Sequence, residues 1–194
     1  MMNQAQFDLF ASGGQPERLV YVPDFISGEE EAGLVEQVSR LPFAPFEFQG
    51  FLGKRRTVSF GHHYAFDGSG LREAEPIPDF LLPVRDKAAR LAGTGGAAVE
   101  HALVIEYAPG AGIGWHRDRP VFGDVVGISL LAPARLRFRR KAGDKWERAA
   151  LIEEPRSAYL LTGPARSEWE HSIPPMETLR YSITFRTLRE ARAA

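Results

Sequence analysis

Residues 178–188 read Thr-Leu-Arg-Tyr-Ser-Ile-Thr-Phe-Arg-Thr-Leu, and polar and apolar side chains alternate along most of this stretch. In an extended strand, successive side chains point to opposite faces of the sheet. One face therefore carries Leu179, Tyr181, Ile183 and Phe185, and the other carries Arg180, Ser182, Thr184 and Arg186. The second face is either exposed to solvent or a wall that binds a small dicarboxylate, since a buried arginine must be paired.

The residues before this strand predict a mainly β domain. Apolar alternation predicts further strands over 98–108, 125–131, 135–140, 149–152 and 158–161. Glycine and proline turns separate them at short intervals, which is typical of an antiparallel sandwich or jelly roll. Before residue 98 we expect a short strand, a helix that starts with the capping-box pair Ser27 and Glu30, and a helix within 79–92. The predicted fold class is α+β, mainly β, with helices first and strands after them.

The composition fits one globular domain. The chain has 194 residues, of which 44% are hydrophobic, and no cysteine. Without cysteine, disulfide scaffolds, thiolate metal sites and cysteine nucleophiles are excluded. We expect a flexible tail at 1–16 and a single domain at 17–194, with a jelly-roll core at about 98–190. The sequence has neither a membrane-length apolar run nor a signal-peptide pattern. We therefore expect a cytoplasmic monomer that does not bind membranes.

A histidine–carboxylate pair lies at the end of the stretch Tyr107-Ala-Pro-Gly-Ala-Gly-Ile-Gly-Trp-His-Arg-Asp118. His116 and Asp118 are two residues apart, so both side chains share one face of an extended segment. An imidazole and a carboxylate on one face make two of the three ligands in the facial triad that binds Fe(II). His171 is the expected third ligand because it is the only histidine downstream of Asp118.

Together, these residues resemble the AlkB family of Fe(II)/2-oxoglutarate-dependent dioxygenases. The resemblance rests on His116-x-Asp118, on His171, and on Arg180 with Arg186, and it spans about residues 50–188. It implies a double-stranded β-helix (jelly-roll) core with N-terminal helices and a substrate lid at about 45–70.

The resemblance also implies a role for each residue. The iron ligands are His116, Asp118 and His171, and the 2-oxoglutarate contacts are Tyr107, Arg180, Ser182 and Arg186. Either Arg180 or Arg186 binds the distal carboxylate of 2-oxoglutarate, and the other lies nearer the metal. Two positions, Pro120 and Ile105, depart from the family pattern, which often has an acidic residue and an asparagine there.

The implied activity is oxidative demethylation of alkylated DNA or RNA bases. It uses Fe(II), 2-oxoglutarate and O2, and it releases formaldehyde, succinate and CO2. Two alternatives remain open at this point. The same chemistry could act on a protein or a small molecule, or the chain could be a non-enzymatic metal-binding β-domain.

Basic and aromatic residues give candidates for contact with a nucleic-acid substrate. The net charge of −1 divides unevenly, into −6 for residues 1–50 and +5 for the rest. The substrate-binding candidates are Lys54, Arg55, Arg56, Tyr64, Arg137 and Arg139. Arginine and lysine would contact phosphates, and an aromatic ring would stack on a flipped base. The alternatives are a β-hairpin with core aromatics at 49–66 and an ordinary solvated face at 135–148.

The N-terminal tail contains a second candidate motif. Residues Gln6, Phe7, Asp8, Leu9 and Phe10 resemble the peptide with which bacterial repair and replication proteins bind the DNA sliding clamp. A terminal segment can insert such apolar anchors into a groove on a partner. The alternative is an apolar tail that packs on its own domain.

Overall fold

The structure is a computed structural model that describes residues 14–48, 51–65 and 68–189. Its strands are β1 (Leu19–Val22), β2 (Ala44–Phe48), β3 (Phe51–Phe60), β4 (His62–Ala65), β5 (Gly70–Glu73), β6 (Val99–Tyr107), β7 (Ile113–His116), β8 (Phe122–Leu130), β9 (Ala134–Ala142), β10 (Lys145–Glu153), β11 (Ala158–Leu161), β12 (Glu170–Ile173) and β13 (Arg180–Leu188). Its α-helices are α1 (Gly28–Val38), α2 (Leu82–Leu91) and α3 (Gly163–Ser167). The clamp-like motif at residues 6–10 lies outside the described residues, so that interpretation stays a prediction.

Two antiparallel sheets form the jelly roll. The major sheet has seven strands in the order β1-β11-β8-β13-β6-β3-β2, and the minor sheet has four in the order β10-β9-β12-β7. Strands β4 and β5 make a separate hairpin. The predicted strand at 178–188 is β13, and it lies in the middle of the major sheet between β8 and β6.

The two faces of β13 enter different environments. Tyr181, Ile183 and Phe185 belong to an apolar core that the major sheet shares with helices α1 and α2. Side chains from β6, β9, β10 and β12 belong to a second core, which includes Ile105, Leu136, Phe138, Leu151 and Ile173. The polar residues of β13 are buried as well, including both arginines. The prediction of alternation is confirmed, and the solvent-face alternative for the arginines is wrong.

The first helix begins as its sequence predicts. The Ser27 hydroxyl accepts a hydrogen bond from the Glu30 backbone N–H at 3.1 Å, and the Glu30 carboxylate accepts one from the Ser27 N–H at 2.8 Å. Leu34 and Val38 bury the apolar face of this helix against the major sheet. The second predicted helix is also present as α2, with Pro83 in its first turn, where a missing N–H costs little.

The mainly β, α+β fold class is confirmed, but the expected order of helices first and strands after them is wrong. Strand β1 was expected before the first helix, whereas β2 and β3 were not, and all three belong to the major sheet. β3 pairs with β6 from Arg56↔Glu106 to Phe60↔Ala102, so part of the stretch expected to be a lid is a strand of the core sheet. Phe60, at the end of β3, belongs to the apolar core as the alternative for 49–66 expects, but the strands that pair with β3 are β2 and β6. Within the described ranges, no helix has the length and apolar character needed to cross a bilayer.

Candidate active site

Three predicted ligands meet where the minor sheet faces the major sheet. His116 ends β7 and pairs directly with His171 of β12 in the antiparallel register. The centroids of the two imidazole rings are 4.3 Å apart. Asp118 follows two residues after His116, and one ligand atom from each of the three residues lies within 4.8 Å of the others. The sheet register therefore completes a cluster that the sequence distributes over 56 positions.

The protonation states of this cluster suit a divalent metal. Burial, followed by the neighbouring His116, lowers the pKa of His171 to about 3. Burial also lowers the pKa of His116. Although burial opposes ionisation of Asp118, the positive charge of Arg186 and the nearby imidazoles bring the pKa of this carboxyl below its usual value. Two neutral imidazoles and one carboxylate are the donor set that non-haem Fe(II) oxygenases use, so these residues could hold Fe(II).

The tautomer of His116 is fixed by its own turn. Its Nδ1 lies 2.8 Å from the carbonyl oxygen of Gly114, which can only accept a hydrogen bond. Nδ1 must then carry the proton, and Nε2 is the nitrogen left with a free lone pair. A hydrogen bond of this kind orients a ligating imidazole towards its metal.

Arg186 lies at the metal end of the cleft. Its Nη2 and Nε are 2.7 and 2.8 Å from Oδ1 of Asp118. Its Nη1 lies 3.2 Å from Nδ1 of His101. Because a guanidinium only donates, Nδ1 of His101 accepts and this buried imidazole is neutral. Arg186 thus orients the carboxylate that would ligate iron.

Arg180 lies at the other end of the cleft. It is 1% exposed, and its Nε donates to the Ser129 hydroxyl at 2.9 Å. Its Nη2 donates to Oε2 of Glu153, which is also 1% exposed. The guanidinium carbon is 5.3 Å from the centre of the Tyr107 ring. Sequence reasoning missed Glu153, because the strand predicted at 149–152 ends one residue before it.

A cavity of about 1080 Å³ joins the two ends. The predicted metal and cosubstrate residues that line it are Tyr107, His116, Asp118, His171, Arg180, Ser182 and Arg186. Glu153, Arg55 and Tyr64 also line the cavity. The structure therefore brings every predicted metal and cosubstrate residue to one space, together with two of the six candidates for substrate contact.

The other four candidates lie outside that lining. Arg56 forms a two-point ion pair with Glu106, with N···O distances of 2.7 and 2.9 Å, and Lys54 is exposed. Arg137 and Arg139 lie on the minor sheet, with their guanidinium carbons 5.1 and 4.5 Å from the centre of the Trp115 ring. Arg139 also forms an ion pair with Glu170 at 2.6 Å. Their role in substrate binding remains a prediction.

Sequence reasoning also missed the residue that shapes the loop after Asp118. Arg166, on the short helix α3, is 4% exposed. It donates to the backbone carbonyl groups of Asp118, Arg119, Phe122 and Gly123 at 2.7–3.2 Å. One guanidinium thus binds four carbonyl groups between Asp118 and the start of β8. The sequence contains no local signal for this contact, because the partners lie more than 40 residues away.

Known proteins with similar sequences and folds agree with this geometry. Residues 18–186 match the family model of the 2OG-Fe(II) oxygenase superfamily. The "Probable RNA/DNA demethylase ALKBH6" of Danio rerio is 38% identical over 148 residues, which cover 76% of this chain and 60% of that protein. The "Alkylated DNA repair protein ALKBH8 homolog" of Arabidopsis thaliana is 26% identical over 180 residues, covering 80% and 50%. This chain thus spans 50–60% of the length of these two curated relatives.

A solved structure supports the fold independently. The structure of OsALKBH1 superposes with a TM-score of 0.67 over 91% of this chain and 99% of that one. The two sequences are only 15% identical, so this likeness concerns the jelly-roll architecture alone.

Proposed function

We propose that this chain, which belongs to the 2OG-Fe(II) oxygenase superfamily as an AlkB-like dioxygenase, oxidatively demethylates alkylated nucleic-acid bases. The observation that carries this proposal is the cluster of His116, Asp118 and His171 in a cavity that also contains two buried arginines. The names of the two curated relatives, an RNA/DNA demethylase and a DNA repair protein, point to the same substrate class.

In this proposal the residues divide the site into a metal end and a cosubstrate end. His116, Asp118 and His171 hold Fe(II), and Arg186 keeps the Asp118 carboxylate ionised and oriented. Because Arg186 is committed to Asp118, Arg180 is the arginine that remains for the distal carboxylate of 2-oxoglutarate. The hydroxyl groups of Tyr107 and Ser182 lie on residues of the same cavity wall and supply further hydrogen bonds.

The chemistry balances with one molecule of O2. Bound iron supplies the oxidation of a methyl C–H bond to C–OH while 2-oxoglutarate loses CO2 and becomes succinate, each product taking one oxygen atom. The N–CH2OH group then loses formaldehyde, and the base keeps the nitrogen–hydrogen bond. The residues of this chain position the methyl group and exclude water from the cavity.

A basic and aromatic surface beside the cavity supports a nucleic-acid substrate. Trp115 lines the cavity, and Arg137 and Arg139 lie over its ring. Arg139 also lies 4.6 Å from the ring centre of Trp146, which is 42% exposed. Alternating guanidinium and indole groups offer both phosphate contacts and stacking platforms, the two features that bind single strands.

The test is a demethylation screen with formaldehyde as the readout. The substrates are methylated single-stranded DNA, double-stranded DNA, RNA and a methylated peptide, each paired with its unmethylated form. We expect formaldehyde with a methylated nucleic acid and a steep loss of binding as salt rises. Formaldehyde with the peptide alone would instead support the protein-substrate alternative.

A further inference from the structure

Glu153 and Arg180 form an ion pair that is fully enclosed. Each side chain is 1% exposed, and Nη2 of Arg180 donates to Oε2 of Glu153. Among the described residues, the other oxygen of Glu153, Oε1, and the other nitrogen of Arg180, Nη1, have no hydrogen-bond partner. Both residues line the cavity. The pair is thus half-satisfied on the side of the molecule where the cosubstrate binds.

The unpartnered donor of Arg180 and the unpartnered acceptor of Glu153 are unfavourable while no ligand is bound. A buried polar atom without a hydrogen-bond partner destabilises the folded protein, and more so when its group is charged. A carboxylate that enters the cavity would accept a hydrogen bond from Nη1 of Arg180. Oε1 of an ionised Glu153 would still have no partner, because two ionised carboxylates have no proton to share.

The Glu153–Arg180 pair carries no net charge before any ligand enters. Arg180 on β13 is the cation that interacts with Glu153, and the other neighbouring groups that interact with it electrostatically are Tyr107 on β6 and Tyr159 on β11. Burial raises the pKa of both tyrosines, so both are neutral. Arg55 on β3 is a further cation of the cavity wall, beside Tyr107, and Asp118 pairs with Arg186 at the far end. A second ionised carboxylate beside Arg180 would therefore give the pair and its ligand together a net negative charge in a buried place.

We propose that Glu153 is the residue that couples cosubstrate binding to a proton: it is ionised while it holds Arg180, and it takes up one proton when the distal carboxylate of 2-oxoglutarate binds. Oε1–H of Glu153 and Nη1–H of Arg180 then both donate to that carboxylate. The arrangement is electrically neutral before and after binding, and both unpartnered atoms gain partners. This inference rests on the proposed assignment of Arg180 to the distal carboxylate.

The electrostatics of Glu153 point the same way. Burial raises the pKa of its carboxyl, and only the attraction of Arg180 opposes this shift. A distal carboxylate that shares Arg180 weakens that attraction and adds a like charge, and both changes favour the protonated form of Glu153. By linkage, a proton taken up on binding makes the affinity fall as pH rises, by about tenfold per pH unit where Glu153 is ionised in the free protein.

The experiment measures cosubstrate binding, without turnover. The protein is loaded with Mn(II) in the absence of oxygen, and 2-oxoglutarate is titrated by calorimetry in two buffers of different ionisation enthalpy. The difference in heat gives the number of protons taken up. We expect about one proton per 2-oxoglutarate for the wild type near pH 7.5. We expect none with 2-oxobutyrate, which has the same 2-oxo acid group and no distal carboxylate.

Two variants identify the group that takes up the proton. Glu153→Gln keeps the shape of the side chain and can donate to a carboxylate without titrating, so we expect no uptake and a pH-independent affinity. Glu154→Gln makes the same change at the next residue, which is exposed, and should match the wild type. Thermal unfolding confirms that each variant is folded.

The outcomes are separable. A wild type that binds 2-oxoglutarate without proton uptake, or a Glu153→Gln variant that takes up the same proton, overturns the inference, and the wild-type measurement alone suffices if the variant does not fold. If neither wild type nor Glu153→Gln binds 2-oxoglutarate while both bind Mn(II), the proposed cosubstrate site is wrong instead.

Discussion

At the scale of single residues, two buried arginines fix Asp118 from different directions. Arg186 binds its carboxylate at 2.7 Å, and Arg166 binds its backbone carbonyl at 3.2 Å. Arg186 favours the ionised form of the Asp118 carboxylate, whereas Arg166 fixes the path of the backbone after Asp118. Replacing residues that bind a metal ligand, rather than the metal itself, commonly lowers metal affinity by about 10–100-fold. We therefore expect a loss of at least about tenfold here.

Replacement of Arg166 tests this second contact. Arg166→Gln removes four hydrogen bonds to carbonyl groups, so we expect the free energy of unfolding to fall by roughly 2–4 kcal/mol. Mn(II) affinity should fall by about tenfold or more. Arg117→Gln is the matched control, since Arg117 is exposed and, within the described ranges, donates to the Ser167 carbonyl alone. Its effect on the free energy of unfolding should stay within about 0.5 kcal/mol. Equal effects of the two substitutions would contradict the conclusion that Arg166 holds the backbone after Asp118 in place.

A second prediction concerns His101. Burial, followed by the positive charge of Arg186, lowers the pKa of His101 to about 2, against an ordinary value of 6.5. At a pH below the ordinary pKa, the imidazole of His101 is protonated in the unfolded chain and neutral in the folded protein. The free energy of unfolding therefore falls as pH falls, by about 1.4 kcal/mol per pH unit. His101→Gln should reduce the slope of unfolding free energy against pH by about that amount between about pH 6 and 4.

Chemical denaturation of the metal-free protein at several pH values measures this slope. A wild-type slope that His101→Gln does not change would show that His101 is not held neutral by the fold.

At the scale of elements, the backbone just before β7 packs closely against the backbone at the end of β12 and after it. A Cβ added at Gly112 would lie 2.7 Å from the Ile173 carbonyl oxygen and 2.9 Å from the backbone of Pro174 and Pro175. All these contacts are with backbone, which cannot rotate away. At Gly114, two residues later, a Cβ would meet no atom within 4 Å. Gly112 is therefore closely packed, whereas Gly114, only two residues away, has free space for a methyl group.

This difference gives a matched pair of substitutions. Gly112→Ala should push β7 away from β12 and separate His116 from His171, lowering the free energy of unfolding by about 1–3 kcal/mol and weakening Mn(II) binding. Gly114→Ala should be neutral or stabilising by about 0.5 kcal/mol. Thermal unfolding and Mn(II) titration of both variants provide the check, and a larger loss for Gly114→Ala would argue against the β7–β12 register.

The elements that the sequence predicts well are those with local signals. The capping box at Ser27 and Glu30 is present in α1, and the apolar positions of β9 face the core as the alternation requires. Strand β3 was not predicted as part of the core sheet, because its partner β6 lies far along the chain, and β2 joins the sheet only through β3. Arg56 pairs with Glu106, 50 residues away, and no local pattern carries that information.

At the scale of the whole molecule, the three residues of the candidate metal site were predictable from the sequence, whereas the surroundings of Arg180 were only partly so. His116 and Asp118 form a local motif, and His171 has no competitor downstream. Glu153 follows a predicted strand, and its contact with Arg180 joins β10 of the minor sheet to β13 of the major sheet, which no local pattern reveals. The uneven charge, −6 for residues 1–50 and +5 for the rest, is consistent with a basic catalytic part of the chain.

The stoichiometry of turnover on a methylated single-stranded oligonucleotide tests whether this protein is a nucleic-acid demethylase. We expect formaldehyde and succinate in a ratio of about one, both dependent on added Fe(II) and 2-oxoglutarate, since each demethylation consumes one 2-oxoglutarate. His116→Ala should abolish both products while the protein stays folded. Undiminished formaldehyde from His116→Ala, or succinate that the methylated oligonucleotide never stimulates, would contradict the account.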